Sequence, residues 1–332
     1  MLKKRVSGSL LALLLGAGAA LSFGPAQAQD YKLRANVPGN ESGLAYLAAK
    51  RFADIVEEES GGRVAIKVHH SSALGDQVSS IESMQVGTID IATVETPITT
   101  IDPVLGATAL PYVFQGRDHV AKALQGDAGA WIEERLAAKG LRVLGFLEGG
   151  FRQITNNVRP IRVPADLKGV KMRTPGSKLR IKIFNHYGAN ASPLPFKELY
   201  TALQTGVFDG QENPVIWAKV TKFYEVQKYL SITDHLYTVT YLLMSEKSYA
   251  KLPADLQALL KKAGREAAAH SVELGIAADE EIVAFLKNQG MEVNQADVAA
   301  FVEASGPIWE DWAKEQGADA QRLIDMIQQA GE

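Results

Sequence analysis

Two runs in the middle of the chain, DLKGVKMRTPGS at residues 166–177 and ELYTALQTGVFDGQENP at residues 198–214, each place one polar side chain at the end of a short apolar strand. Arg173 follows Val170-Lys171-Met172, and Asn213 closes a turn after Val207-Phe208-Asp209. Pro175-Gly176-Ser177 then opens a helix. A guanidinium at a strand terminus beside a helix N-terminus suits an anionic oxygen. Its planar fork matches a carboxylate in bidentate geometry, and the first helical N–H groups are free.

The same alternation extends outward in both directions. Leu44, Leu47, Ala48, Phe52 and Ile55 form a helical stripe that Gly61-Gly62 closes, and Val64, Ile66 and Val68 alternate as a strand. A helix over Val78–Val86 precedes a strand over Ile89–Val94, and a helix over Ala128–Lys139 precedes a strand over Leu141–Phe146. In the second half, a strand at Val170–Met172 and a helix at Leu179–Tyr187 are followed by a strand end at Ala191–Leu194. A helix at Phe196–Gln204 and a strand at Val207–Asp209 complete that series. Strands separated by helices of this length indicate βα units and a largely parallel sheet. From Ala254 to about Gln289 there is no proline, so one long helix or two abutting ones is expected, with Gly264 and Gly275 as possible bends. Such a helix suits a strut lying across two domains. No Pro/Gly/Ser tether appears, so structured crossings must join them.

The N-terminal stretch reads differently. Lys3, Lys4 and Arg5 precede an apolar run from Leu10 to Leu21, and Ala26-Gln27-Ala28 is a small-x-small cleavage site. Residues 1–28 are therefore expected to be a removable export signal, with Gln29 first in the mature chain. Gly16-Ala17-Gly18 within that run lacks a preceding strand and a third glycine, so it is no dinucleotide motif. Removing 28 of 332 residues leaves 304, enough for about two domains, and losing three cations moves the net charge from −3 to −6. A mildly acidic chain has no electrostatic footprint for nucleic acid or anionic lipid. No later run of roughly 20 apolar residues suggests a membrane span. With no cysteine there are neither disulfides nor thiolate metal sites.

Further landmarks join the two central runs in order: Ser71-Ser72-Ala73-Leu74-Gly75, Gly87-Thr88-Ile89-Asp90, Leu110-Pro111-Tyr112-Val113-Phe114 and Tyr224-Glu225-Val226-Gln227-Lys228-Tyr229. Together they resemble the substrate-binding proteins of TRAP transporters, periplasmic receptors that hand organic acids to an ion-driven membrane carrier. The resemblance covers nearly the whole mature chain. It implies an α/β, two-lobed periplasmic binding protein fold. Each lobe is a mostly parallel sheet flanked by helices, with crossing strands and a long helix spanning both lobes. On this reading residues 29–150 with about 236–278 form one lobe, and 151–235 with about 279–332 the other. The implied partners are a small organic acid and the TRAP-type membrane subunits. The protein itself is expected to be a periplasmic monomer without cofactor or metal.

The resemblance assigns roles to Arg173, Asn213 and Arg152, while position in the sequence suggests those of Glu212, Trp217, Glu95, Asn36 and Gln77. The arginine of the MRTPG motif, here Arg173, clamps the ligand carboxylate, and Asn213 of QENP reaches the same group. Arg152, which follows the Gly149-Gly150 turn, either adds a contact to that anion or pairs with Glu148 or another carboxylate. Glu212 is expected to pair with a local cation. Trp217 either stacks over an apolar face of the ligand or is buried in a lobe core. Glu95, at the C-terminal edge of a parallel strand, lies where ligands bind in open α/β sheets. There it accepts hydrogen bonds from ligand hydroxyls or caps the next helix. Asn36 and Gln77 occupy comparable edge positions. Two arginines would suit a C4-dicarboxylate, but Glu95 and Asn36 would welcome hydroxyls and repel a second carboxylate. The expected ligand is therefore a hydroxylated monocarboxylate, a uronate or aldonate. The remote alternative is a secreted enzyme acting on acidic sugars. Against it, the six histidines are scattered, and no metal-binding spacing, nucleophile elbow or phosphate loop occurs.

Overall fold

The computed structural model of the chain describes residues 30–331, so the expected signal at 1–28 lies outside the described residues. The strands are β1 (Tyr31–Asn36), β2 (Val64–His69), β3 (Ile91–Val94), β4 (Leu141–Asn156), β5 (Lys171–Thr174), β6 (Asn190–Pro193), β7 (Gly210–Pro214), β8 (Tyr229–Ile232), β9 (Tyr237–Ser245) and β10 (Glu292–Gln295). Eight of them run in the order β2-β1-β3-β9-β4-β7-β5-β6, with β8 and β10 joined at the side of β4. β1 pairs in parallel with β2 and β3, and β5 with β6 and β7, giving two parallel halves. Antiparallel β9 and β4 lie between them.

The strand expected over Leu141–Phe146 does not end there, and Gly149-Gly150 is not a turn. β4 continues for 16 residues. Its first part pairs with β9, and Arg152–Asn156 pair with β7 and β8. Register shifts between Val143 and Gly145, and again between Glu148 and Gly150, mark β-bulges. Bulges bend a strand and increase its twist, which lets one strand pass from the first half to the second.

The stretch after Pro253 is a single helix, α9, from Ala254 to Asn288. Its 35 residues span about 52 Å. Its N-terminal half buries Leu256, Leu260, Ala263 and Ala267 against α1 (Leu44–Glu59), β1 and β4, while Ile282 and Leu286 pack in the second core around Leu199, Phe223 and Leu230. Each half thus has its own apolar anchor, and α9 serves both lobes. Gly264 and Gly275 do not interrupt it. They let α9 lie directly on β4: a Cβ on Gly264 would overlap the Leu144 carbonyl, one on Gly145 would be 2.6 Å from Gly264 O, and one on Gly275 would be 2.6 Å from Glu148 Cγ.

Downstream, α10 (Val298–Gln316) packs on α5 (Lys178–His186), while α11 (Ala318–Gln329) turns back onto residues 103–109 and α4 (Asp127–Ala137). His119 Nε2 donates to Ile327 O at 2.6 Å, so the C-terminal helices touch both halves.

Gly264→Ala therefore sets helix propensity against packing. Alanine is favoured by about 1 kcal/mol in a helix, but its methyl would meet strand backbone, and such overpacking costs about 1–3 kcal/mol. We expect a lower urea midpoint and a fall of several degrees in Tm. A stabilised variant would show that the two backbones are not in contact.

Candidate functional site

The crossing of β4 with β7 places the site. Register sets Arg152 opposite Pro214, Gln153 opposite Asn213 and Ile154 opposite Glu212. Beside them Arg173 of β5 lies level with Gln211. Asn213 is thus inside a strand and not in a turn, because β7 begins at Gly210 and the expected strand residues 207–209 form the loop before it.

Glu212 is fully buried and draws the cations together. It accepts from Arg152 Nε, from Arg152 Nη2 at 3.0 Å and from Arg180 Nη1 at 2.5 Å. Burial pushes its pKa up, but the two guanidinium charges more than reverse this and hold it far below the usual carboxylate range. Arg152 also donates to Thr238 Oγ1 and Asn213 Oδ1, each at 2.9 Å. Its fork is therefore largely spent on the protein, in the ion pair the sequence offered as the alternative to ligand contact. Arg180 and His235 were not anticipated. Arg180 is on the inward face of α5 at ordinary helical spacing, and nothing in its local sequence distinguishes it from a surface cation.

Arg173 differs from both. It is 2% exposed, yet among the described residues it makes no ion pair. Its Nε and Nη2 donate to Leu194 O at 2.9 and 2.6 Å. That occupies the Nε edge and leaves the Nη1–Nη2 end to grip an anion. Burial lowers its pKa to about 9, so it remains a cation at neutral pH, as does Arg180 at about 10. Arg180 Nε and Thr174 Oγ1 are also buried without hydrogen-bond partners, which is uncommon in a finished protein interior.

Glu95 approaches from the other lobe at the end of β3. Its side chain makes no helix-capping hydrogen bond. Burial raises its pKa, opposed chiefly by Arg152 and Arg173. Gln77, the first residue of α2 (Gln77–Val86), accepts the Glu95 N–H at 2.7 Å. Gln77 and Arg173 share a cavity of about 220 Å³ with Ser72, Pro97, Pro175 and Phe196. Asn213 retains one amide hydrogen, because the other goes to Gln211 Oε1.

Of the expected residues, Arg173 and Gln77 line this cavity, Glu95 lines a separate small one with Arg180, and Arg152, Asn213, Asn36 and Trp217 line neither. The Asn36 amide donates to Gly75 O at 2.9 Å and to Ser80 Oγ at 2.8 Å, and its oxygen accepts from Leu74 N at 3.2 Å. It fixes a turn and has no hydrogen left for a ligand. Phe196, not Trp217, lines the cavity, and Trp217 packs behind it with ring centroids 4.8 Å apart. Sequence reasoning missed Phe196, whose only local signal was its position between Pro195 and a helix start.

Three guanidinium groups thus face two carboxylates; burial works against the charged form of both, but it prevails only at Glu95. The site has an excess of positive charge in a dry, polar setting, which suits the capture of a small anion. Among the described residues no helix is long and apolar enough to cross a membrane.

Comparison with known proteins agrees with this geometry. The model of the family "Bacterial extracellular solute-binding protein, family 7" matches residues 36–316. The 2,3-diketo-L-gulonate-binding periplasmic protein YiaO of Escherichia coli K12 is 34% identical over 324 residues, covering 96% of this chain and 98% of that protein. A TRAP periplasmic solute-binding protein from Bordetella bronchispeptica, with density assigned as pantoate, superposes with a TM-score of 0.86. It is 34% identical, with 90% of this chain and 98% of that one covered. A TRAP periplasmic solute-binding protein from Sulfitobacter sp. NAS-14.1 with bound β-D-galacturonate gives a TM-score of 0.85 at 30% identity, with 90% and 99% covered.

His235 supplies a pH test of the buried network. Burial lowers its pKa, against the pull of Glu212 at 3.3 Å, and its other nitrogen meets Thr233 Oγ1 at 2.8 Å. A folded-state pKa below the ordinary value of about 6.5 means that the neutral imidazole's contribution is complete above that pH. The contribution is lost as pH falls through the folded value, with a limiting slope of about 1.4 kcal/mol per pH unit. Glu95, with a raised pKa, acts in the opposite sense in every variant. Thermal melts from pH 8 to 5 should therefore fall more steeply for the parent chain than for His235→Gln. Parallel curves would exclude the imidazole as the responsive group.

Proposed function

Because this chain belongs to the family 7 bacterial extracellular solute-binding proteins, the solute receptors of TRAP transporters, we propose that it captures a hydroxylated monocarboxylate, a uronate or aldonate, between its two lobes and delivers it to a TRAP-type membrane carrier. Members of this family are receptors, and we read no chemistry in this site. Residues 1–28 would direct export, placing the mature receptor in the periplasm.

The observation that carries this reading is the buried guanidinium of Arg173, which makes no ion pair among the described residues and lines the cavity shared with the other lobe. A carboxylate there supplies the missing counter-charge, and Asn213 adds a donor from the same lobe. Glu95 favours hydroxyls over a second carboxylate. Like charges repel when it is ionised, and when protonated it both donates to and accepts from a hydroxyl. A ligand named in the relatives, galacturonate, carries one carboxylate and several hydroxyls.

A thermal-shift screen of D-galacturonate, D-glucuronate, D-galactonate, pantoate and succinate tests the substrate class, since a ligand of the folded state raises Tm. We expect the hydroxylated monocarboxylates to give the largest shifts, and succinate to lead if the class is wrong. Arg173→Ala should cost on the order of 3–5 kcal/mol, roughly a hundredfold to several-thousandfold in affinity, because it leaves a buried carboxylate without its partner. Arg173→Lys keeps the charge but loses the fork and should also bind far more weakly. Both variants should fold. Calorimetry giving Arg173→Ala the parent affinity would place the anion elsewhere. If Glu95 acts as an ionised acceptor, Glu95→Gln should weaken hydroxylated acids about tenfold, from the loss of a hydrogen bond to a charged group, and spare succinate; unchanged affinity would exclude that role.

A further inference from the structure

Trp217 is the first-turn aromatic of α7 (Val215–Val220), directly after the strand that carries Glu212 and Asn213. It is 4% exposed and packs in its own lobe against Phe196. From the first lobe it is met by the loop between β1 and α1. Gly39, at φ +71°, lies so close that a Cβ would overlap Trp217 Cζ3, and a Cβ on Gly43 would be 3.7 Å from the same ring. The loop reaches the far end of α7 as well, with Asn40 Nδ2 donating to Val220 O at 2.8 Å.

Both sides of this contact lead to the cavity. In the second lobe, Phe196 stands between Trp217 and Arg173, whose guanidinium carbon is 5.9 Å from the Phe196 centroid, within cation–π range. In the first lobe, Ser72 N donates to Val37 O at 3.0 Å, and Asn36 holds the Leu74–Gly75 turn. Pro38 and Ser72 themselves line the cavity.

We propose that Trp217 is a positioning residue for ligand capture: its seating against the Gly39–Gly43 loop is the contact that lobe closure makes and opening breaks, coupled to Arg173 through Phe196. This rests on the receptor reading above. Trp217 touches no ligand. It holds Phe196 in place beneath the Arg173 guanidinium, and it fits the opposing lobe only where residue 39 has no side chain. The seat is specific because a planar indole needs a flat backbone surface, and the left-handed conformation at residue 39 is one that glycine adopts without strain. Closure also removes the large apolar face of the ring from water.

The chain contains four tryptophans, so subtracting the emission of Trp217→Phe from that of the parent isolates Trp217. Acrylamide quenching is read first without additive, then with D-galacturonate, D-glucuronate, D-galactonate, pantoate and succinate together in excess. We expect Trp217 to be open to quencher without additive and shielded several-fold with it. A Trp217 already shielded without additive is constitutive packing, and the proposal falls. That arm requires no acid to bind. If none of the acids shifts Tm, the substrate class fails on its own, while a quenchable Trp217 in the additive-free chain still supports the seat as one that opens. In the second arm, Gly39→Ala should weaken binding of the acids about tenfold, equivalent to 1.4 kcal/mol. In a Trp217→Ala background the same change should add no further loss. An equal loss in both backgrounds would assign the effect to backbone strain at residue 39 and overturn the proposal.

Discussion

The site depends on one buried carboxylate. Glu212 ties β4 through Arg152, α5 through Arg180 and the segment before β9 through His235, at the point where the two parallel halves meet. Removing an isolated ion from water is costly, and only well-placed partners offset that cost. Here the partners come from elements far apart in sequence, so the network forms only when the second lobe is correctly assembled. The same carboxylate sets the chemistry of the site. It is shared by Arg152 and Arg180 and makes no contact with Arg173, which keeps its charge for an incoming group.

Two features of the backbone hold that network where both lobes reach it. β4 crosses from one half to the other through its bulges, and α9 runs across both cores. The helix lies against the strand because Gly145, Gly264 and Gly275 remove the side chains that would separate them. A further apolar cluster runs without a break from Ile81 and Val94 of the first half to Met172 and Phe184 of the second, so the junction is packed as well as covalently crossed. Glu148 sits at this junction. It is buried beside Gly275, takes the Tyr237 hydroxyl at 2.5 Å and meets Arg117 Nε at 3.0 Å, so the bend is also fixed by polar contacts.

Much of this was legible in local sequence. Alternating apolar periods revealed the α/β class and the long helix, and Arg173 stood out because a cation at the end of a short apolar strand, before a Pro-Gly-Ser turn, has an unusual setting. What was not legible depends on pairing at long range. Gly149-Gly150 carries the chemistry of a turn, and only its pairing with β9 turns it into a bulge. Gly264 and Gly275 read as helix bends until the strand beneath them is known. Arg180 has no local mark, since its meaning comes from Glu212, 32 positions away. Asn36 shows the reverse failure. Its edge position was identified, but its amide is spent on the Leu74–Gly75 turn, which supports the cavity wall from behind.

The charge balance bears on when the lobes should meet. On the proposed capture of a ligand between the lobes, closure would bury Arg173, 2% exposed in this structure, and bring Glu95 toward three guanidinium groups. Without an anion, the desolvation of Arg173 is offset only by the Leu194 carbonyl and the field of Glu212 and Glu95, and in a medium of low polarity the remaining deficit is far larger than it would be in water. With a carboxylate bound, the same loss of water strengthens the ion pair. A single electrostatic fact therefore opposes closure of the empty receptor and favours closure of the loaded one. The conformation that a membrane carrier would meet then reports on whether cargo is present, and no separate sensing device is required. Apolar surface such as the Trp217 ring adds affinity to the closed form whatever lies in the cavity. The discrimination between full and empty has to come from the charged groups, with the aromatic contact setting how tightly the loaded form is held.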